Sequence, residues 1–352
     1  MGGPESPVSG ALLLTCPCTL RICAPCGRRG PIGHLTVGIA GSAAAHAIIT
    51  SISVVICTCG RESAVATVRS ILASRDVDVD LIIIDQSPDR LMRDALEEIL
   101  DDPRVRYVAS SPTGVSSARN IGIRMAHHPI VLLTDDDVTV PEDWCRAFAA
   151  AVQPLDRVAV AFCAVDAAPH DQESGFVPDH RVNRQIIAKS LSTKSLVRGI
   201  GAGMAVRRDV VLSFGGFDEQ LGPGAPLRSG EDRDLAARAL SLGWWVCQTP
   251  DTYVIHHGFR TWNEGQDLTR RDWYGIGAAY AKHAKGLNLR ILPVILHEVV
   301  FFGLVKPIYL AFTGRRLEGL KRLPYFAAGF MRGMRTPVDR KTMLYRPRAA
   351  SV

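Results

Sequence analysis

ISVVICTCGRESAVATVRSILASRDVDVDLIIID, residues 52–85, contains two continuous apolar runs, each ending in polar residues, with a stretch of helical period between them. ISVVIC (52–57) reads as a strand, and ESAVATVRSILAS (62–74) as a helix with Val65, Val68, Ile71 and Leu72 on one face. DLIIID (80–85) is a second strand. Runs that do not alternate imply strands buried on both faces, as in a parallel sheet covered by helices.

The pattern continues outward. PDRLMRDALEEIL (88–100) predicts a helix with Pro88 near its start, and RVRYVAS (104–110) a strand. VSSARNIGIRMA (115–126) predicts a helix and IVLLT (130–134) a fourth strand. Beyond these, GAGMAVRR (201–208) reads as a strand and residues 214–230 as a long Gly/Pro-rich loop. EDRDLAARALSLG (231–243) reads as a helix ended by Gly243, and WWVCQ and YVIHH as two short strands. The chain is therefore α/β, with a mostly parallel central sheet flanked by helices and a helical C-terminal appendage. The expected divisions are an extension over 1–49, expected to be disordered, a catalytic domain over 50–260, and a helical, basic region over 261–352.

Nine cysteines, an odd number, two of them at Cys57 and Cys59 in a strand and its turn, argue against a disulfide framework and for a reducing, cytoplasmic setting. CPCTLRICAPC (16–26) contains a C-x-x-C but lacks flanking strand or helix patterns, so a zinc site is not expected there. Arg21 follows the short apolar ALLL stretch, the reverse of a secretory signal. The uncharged stretch between Arg29 and Arg61 is not read as a membrane span, because its second half is the first strand. Net charge is +6, with basic residues concentrated in the last forty positions. That pattern suits an anionic surface, whether membrane or nucleic acid; the partner expected for the chain as a whole is an anionic membrane surface, and no nucleic acid.

Ligands of such sheets bind beyond the carboxyl ends of the strands, which singles out the residues there. TDDDV (134–138) places three carboxylates together, an arrangement that calls for a cation or solvent. Continued strand alternation would put Asp135 and Asp137 on one side, suited to Mg²⁺ or Mn²⁺ held with a diphosphate, and Asp136 on the other. The competing reading is a solvated loop in which Asp137 or Thr139 caps a helix starting near Pro141. SGEDRDL (229–235) is either a capping box from Ser229 to Asp232 or the site of a general base at Asp232 or Glu231. His256 and His257 end a strand, and only one of them can face the site.

In their order, SVVICTCGR, LIIIDQSPD, TGVSSARNIGI, VLLTDDDV, GAGMAVRRDVV, GGFDEQLGPGAPLRSGEDRDLAAR and PDTYVIHH resemble family 2 glycosyltransferases, which have the GT-A fold. The resemblance covers about residues 51–260. It implies that Thr58, Cys59, Arg61, Asp85, Gly114, Arg119, Asp135 and Asp136 bind the nucleotide-sugar donor. It further implies Asp135, Asp137 and His256 as metal ligands, Asp232 as catalytic base, and Gly216, Phe217, Asp218 and Glu231 on the acceptor side. Two departures bear on base recognition: Cys59-Gly60 replaces the usual Tyr-Asn pair, and Gln86 the common second acid.

The implied reaction is inverting transfer to a glycan or lipid-linked acceptor in cell-envelope or other glycan synthesis, with Arg119 adding a phosphate contact. A nicotinamide oxidoreductase is disfavoured because the first strand–helix turn has only Gly60 and no G-x-G-x-x-G. A non-catalytic scaffold of the same fold is the other alternative. ILPVILHEVVFFGLVKPIYLAF (291–312) is long enough to span a bilayer. His297, Glu298, Lys306, Pro293 and Pro307 favour instead an interfacial helix at the cytoplasmic face of the membrane.

Overall fold

Strands β1 (Ser51–Thr58), β2 (Asp78–Asp85), β3 (Val105–Ala109) and β4 (Ile130–Asp135) form the parallel half of one mixed sheet, in the order β3-β2-β1-β4. The computed structural model describes residues 51–88, 91–111, 114–312 and 322–346, so the cysteine-rich stretch 16–26 and the rest of 1–49 lie outside it. The ladders run Ser51↔Asp78 to Thr58↔Asp85, and Ser53↔Val131 to Cys57↔Asp135. The polar residues ending the apolar runs are therefore brought level at one edge.

Period-two alternation splits the core between two faces. Val54 and Ile56 turn to α1 (Ser63–Leu72) and α5 (Trp144–Val152), whereas Val55, Ile82 and Ile84 turn to α4 (Val115–Met125). At Gly122 of α4 an added Cβ would meet the Val55 side chain, so the missing side chain sets how closely helix and sheet pack. The helix expected over 88–100 is two pieces, α2 (Leu91–Ala95) and α3 (Glu97–Leu100).

The other half of the sheet is mixed. After the short β5 (Val138–Thr139), the buried β6 (Val158–Ala167) enters the interior. A two-residue β7 (Gly175–Phe176) pairs outside the main sheet, and β8 (Ile186–Ala188) pairs at its edge. β9 (Met204–Arg207) lies antiparallel between β4 and β6 and leads into α6 (Arg208–Ser213). After α7 (Glu231–Ser241), the stretches WWVCQ and YVIHH are one strand, β10 (Trp245–His256), parallel to β6 with a register break between Gln248 and Tyr253. β10 also pairs antiparallel with β5, His256 opposite Val138, which brings the end of YVIHH against the aspartate turn.

The chain then passes through β11 (Arg260–Thr261), the partner of β7, into the long α8 (Trp262–Lys285). Thr261 and Glu264 form a capping box at its start. α11 (Arg322–Arg335) packs along α8 so closely that a Cβ at Gly277 would meet the Phe326 backbone, and one at Gly329 the Tyr274 backbone. Between them run α9 (Leu292–His297), a π-helical stretch (Glu298–Val305) and α10 (Lys306–Phe312). Pro293 sits in the first turn of α9, where its missing N–H costs nothing. Pro307 follows the widened π turns, so neither proline breaks the helix. Leu289–Tyr309 is long and apolar enough to cross a membrane by length and composition, with mean hydropathy 1.8.

Candidate active site

The strand ends assemble one polar cluster. Thr58 Oγ1 donates to Asp136 Oδ2 at 2.7 Å and accepts from the Gly60 amide at 3.1 Å. Arg61 Nη1 reaches Asp136 Oδ1 at 3.1 Å and Asp137 Oδ2 at 2.5 Å. Burial pushes the Asp136 carboxyl up, against the pull of Thr58 and Arg61. Burial also works to raise Asp137, but contact with His256 and the charge of Arg61 outweigh it and hold this carboxyl below its usual range.

Asp135 faces elsewhere. The chain leaves extended geometry after β4, so Asp136 and Asp137 share Arg61 while Asp135 takes Arg119 Nη2 at 2.8 Å. The expectation that Asp135 and Asp137 share a side is corrected by this turn. Nor does either Asp137 or Thr139 cap α5, whose N-cap is Asp143.

Asp137 and His256 do come together. His256 Nε2 lies 3.2 Å from the buried Asp137 Oδ1, which has no hydrogen bond of good geometry, and His256 Nδ1 lies 3.0 Å from the Pro178 carbonyl. Donation from Nδ1 would leave Nε2 free to bind a cation. Two ligands each about 2.1 Å from a metal and at right angles stand about 3 Å apart, close to this separation. Gly258 keeps the space open, since a Cβ there would lie 2.6 Å from Asp137 Oδ2 and 2.8 Å from His256 Nε2. The pair fits a divalent cation, but no group of three candidate ligands converges among the described residues. Asp135, expected as the third, is held by Arg119. His257 turns away to Thr139 Oγ1 at 2.8 Å.

Arg119 is 2 % exposed and bridges two elements: Nη1 reaches Glu231 Oε1 at 3.2 Å while Nη2 holds Asp135. Both terminal nitrogens thus carry carboxylates, so the side chain expected to contact phosphate is a brace here. Burial and the neighbouring Asp232 push Glu231 up to about 7. The positive φ of Gly230 opens α7 and lets its start lie against Gly275 of α8. Ser229 bonds Asp272 at 2.8 Å, so the expected capping box from Ser229 to Asp232 does not form. Asp232, in the first turn of α7, is half-buried.

Asp85 is buried and accepts from the Ser87 amide at 2.8 Å, Ser87 Oγ at 2.9 Å and the Tyr107 hydroxyl at 2.5 Å. Gly114 opens α4 at positive φ, and the next amide, that of Val115, donates to the Pro223 carbonyl. The acceptor-side expectations fare differently. Asp218 is 1 % exposed, bound to Lys282 at 2.5 Å and to the Tyr345 amide at 2.8 Å. Lys282 also pairs with Asp234, itself bound to Arg238, so Asp218 belongs to a buried ion network. Phe217 is buried under Arg119, and Gly216 packs on Asn120, whose amide clamps this loop through Phe217. Glu231 is likewise buried. Among the site residues expected from the sequence, Cys59 and Arg61 are exposed and Asp135 and Asp232 half-buried.

Arg260, 4.0 Å from Asp137, Tyr107 on Asp85 and the Asn120 clamp escape a sequence reading. For Arg260 the one available signal is its place shortly after the paired histidines.

Residues 53–213 match the family model described as Glycosyl transferase family 2. Among solved structures, the mannosyltransferase PcManGT from Pyrobaculum calidifontis, in complex with GDP-Man and Mn²⁺, is similar with a TM-score of 0.52 at 15% identity. The match covers 81% of this chain and 87% of that one. S. aureus TarS 1-349 is similar with a TM-score of 0.50 at 15% identity, over 81% of this chain and 89% of that one. At such identities the likeness is one of fold. A search of curated proteins gave no match.

Proposed function

We propose that this chain, a nucleotide-sugar glycosyltransferase whose family 2 domain occupies residues 53–213, transfers its sugar with inversion to the hydroxyl of a glycan or lipid-linked acceptor. The observation that carries this reading is the Arg119 bridge. One buried guanidinium ties Asp135, at the donor end of β4, to Glu231, next to the half-buried Asp232. A donor-side carboxylate and a candidate base are thereby fixed relative to each other, as a single displacement requires.

Thr58, Arg61 and Asp136 form the floor on which the nucleotide rests, with Asp85 on the side of the base. Asp137 and His256 would hold Mg²⁺ or Mn²⁺, which when bound would supply positive charge for the departing diphosphate. Asp232 takes the proton of the acceptor hydroxyl. The hydroxyl oxygen bonds to the anomeric carbon as the bond from that carbon to the diphosphate oxygen breaks, its electron pair leaving with the diphosphate. Glu231 is bound to Arg119, which leaves Asp232 as the open carboxylate of the pair. The apolar, basic C-terminal region keeps the protein at the cytoplasmic face of the membrane, where cell-envelope acceptors are made.

A screen of nucleotide sugars for Mn²⁺-dependent donor hydrolysis identifies the donor. With it, Asp232→Asn is expected to lower transfer by about 10²–10⁴-fold, the usual contribution of a general base. Donor binding should persist. A fully active variant would remove Asp232 from this role.

A further inference from the structure

Behind Asp232 lies a second charged cluster that the transfer chemistry leaves unused. Arg233, the next residue, donates to Glu298 at 2.7 Å, and Arg198 donates to the same carboxylate at 3.0 Å. Glu298, a charge that would oppose membrane insertion of 291–312, is therefore turned inward and buried. Lys194 lies beside these groups, 4 % exposed, and its ammonium has only the Val197 carbonyl at 3.4 Å. Burial, with Arg233 and Arg198 nearby, pushes it down to about 7. The acids at this inner end are Glu298, Asp232 and Asp272, and the cations are Lys194, Arg198 and Arg233.

The outer end is different. The Arg198 guanidinium stacks 3.7 Å from the Phe302 ring centroid, and the Lys306 ammonium stands 5.6 Å from the same ring. Arg322 donates to the Phe302 carbonyl at 3.1 Å, and its buried Nε has no partner. Neither Lys306 nor Arg322 has an ion-paired carboxylate among the described residues, although the charge of Asp179 acts on Lys306. The cluster also lies at the root of an apolar stripe. Leu292, Leu296, Val300, Leu304, Ile308 and Phe312 recur every four residues and are all exposed.

We propose that Arg198, Lys306 and Arg322, gathered around Phe302, bind the phosphate or diphosphate of an acceptor carried on a long apolar chain, whose chain lies along this stripe. A phosphate would give Lys306 and Arg322, neither of which has an ion-paired carboxylate among the described residues, a charged acceptor. A free phosphate would satisfy the charges but would leave the stripe in water, which is why the apolar chain is part of the assignment. Through Glu298, the Arg198 of this cluster is tied to Arg233, the neighbour of Asp232, which places the cluster on the side of the candidate base. The inference rests on the glycosyltransferase reading, with Asp232 as the base.

The test uses the full chain with three probes: phosphatidylcholine vesicles containing a long-chain polyprenyl phosphate, vesicles of matched charge containing phosphatidylglycerol, and inorganic pyrophosphate in solution. At about 0.5 M salt, where surface attraction is screened beyond a few ångströms, vesicles with phosphatidylglycerol should float no better than neutral ones, and those with the polyprenyl phosphate clearly better. Lys306→Gln and Arg198→Gln should each weaken that binding by roughly tenfold, the loss of one charge-assisted contact. Lys306→Gln guards against misfolding, because Lys306 makes no ion pair, and an unchanged melting temperature confirms its fold. Equal flotation with both charged lipids, or no effect of either substitution, would overturn the site. Pyrophosphate that competes fully in the absence of any apolar chain would overturn the lipid assignment. Donor hydrolysis by the wild type separates the two readings: if it is present while the polyprenyl phosphate is ignored, the transferase stands and this site fails. If it is absent with every nucleotide sugar, the transferase reading itself fails.

Discussion

Arg119 holds two carboxylates that are far apart in sequence, and its removal should be felt well beyond the lost hydrogen bonds. Arg119→Met would leave Asp135 and the buried Glu231 without their cation. Breaking a buried pair from one side costs about 3–5 kcal/mol, and urea denaturation should report a loss of that size. A loss under about 1 kcal/mol, the worth of a surface pair, would show that the bridge does not brace the site. His283 offers a second test of burial. It is wholly buried in α8, and burial together with Lys282 and Arg238 pushes its pKa down to about 3. The unfolded chain binds this proton below about pH 6.5, whereas the folded chain refuses it until about pH 3, so stability falls as pH falls between those values. The cost is about 1.4 kcal/mol per pH unit. His283→Gln removes it, so wild-type stability relative to the variant should decline by about 2 kcal/mol from pH 6.5 to 4.5; Glu231, titrating in the same window, cancels in the difference. A flat difference would mean the imidazole takes up its proton inside the folded protein. Such groups mark the limit of a sequence reading. Thr58, Arg61 and the aspartates were legible because each ends an apolar run. The assignment of Asp135 and Asp137 to one side assumed extended backbone, and failed where the chain turns. Arg260 and Asn120 act through partners distant in sequence, which no local pattern records.

At the level of elements, the helix pair α8–α11 depends on the absence of side chains. A methyl at Gly329 would meet the Tyr274 backbone, which cannot swing aside as a flexible side chain would. Gly329→Ala should therefore cost about 1–3 kcal/mol, the usual penalty of overpacking, despite the better helix propensity of alanine. Thermal unfolding followed by tryptophan fluorescence would measure it, since Trp273 lies against Phe326 in this contact. A stabilised variant would show that the helices part freely. The elements of the first half were legible because the buried parallel strands β1, β2 and β4 carry continuous apolar runs. β6 has the same signature in VAVAFCAV and could have been placed by the same rule. What no local signal carries is that β9 enters antiparallel between β4 and β6, or that WWVCQ and YVIHH continue one strand across a register break.

For the whole molecule, a net charge of +6 and an exposed apolar stripe are the two features on which the proposed membrane contact rests. The charges weighed in the sequence against a membrane span at 291–312 are unevenly placed. Glu298 faces the catalytic domain, while Leu296 and Leu304 face outward. Electrostatic attraction reaches only about a Debye length and fades with salt, whereas burial of apolar surface does not. Binding to anionic vesicles should accordingly have a salt-sensitive part, and a salt-resistant part that neutral vesicles share. Burying a leucine side chain contributes about 1.5–3 kcal/mol, so Leu304→Glu should weaken binding to neutral vesicles by roughly ten- to a hundredfold. The same substitution should leave the melting temperature in the absence of lipid unchanged, because Leu304 is exposed. Flotation on vesicles with and without phosphatidylglycerol, across a salt series, separates the two parts. If Leu304→Glu binds neutral vesicles as well as the wild type does, the stripe is not what meets the bilayer, and attraction by the basic surface alone must account for any association.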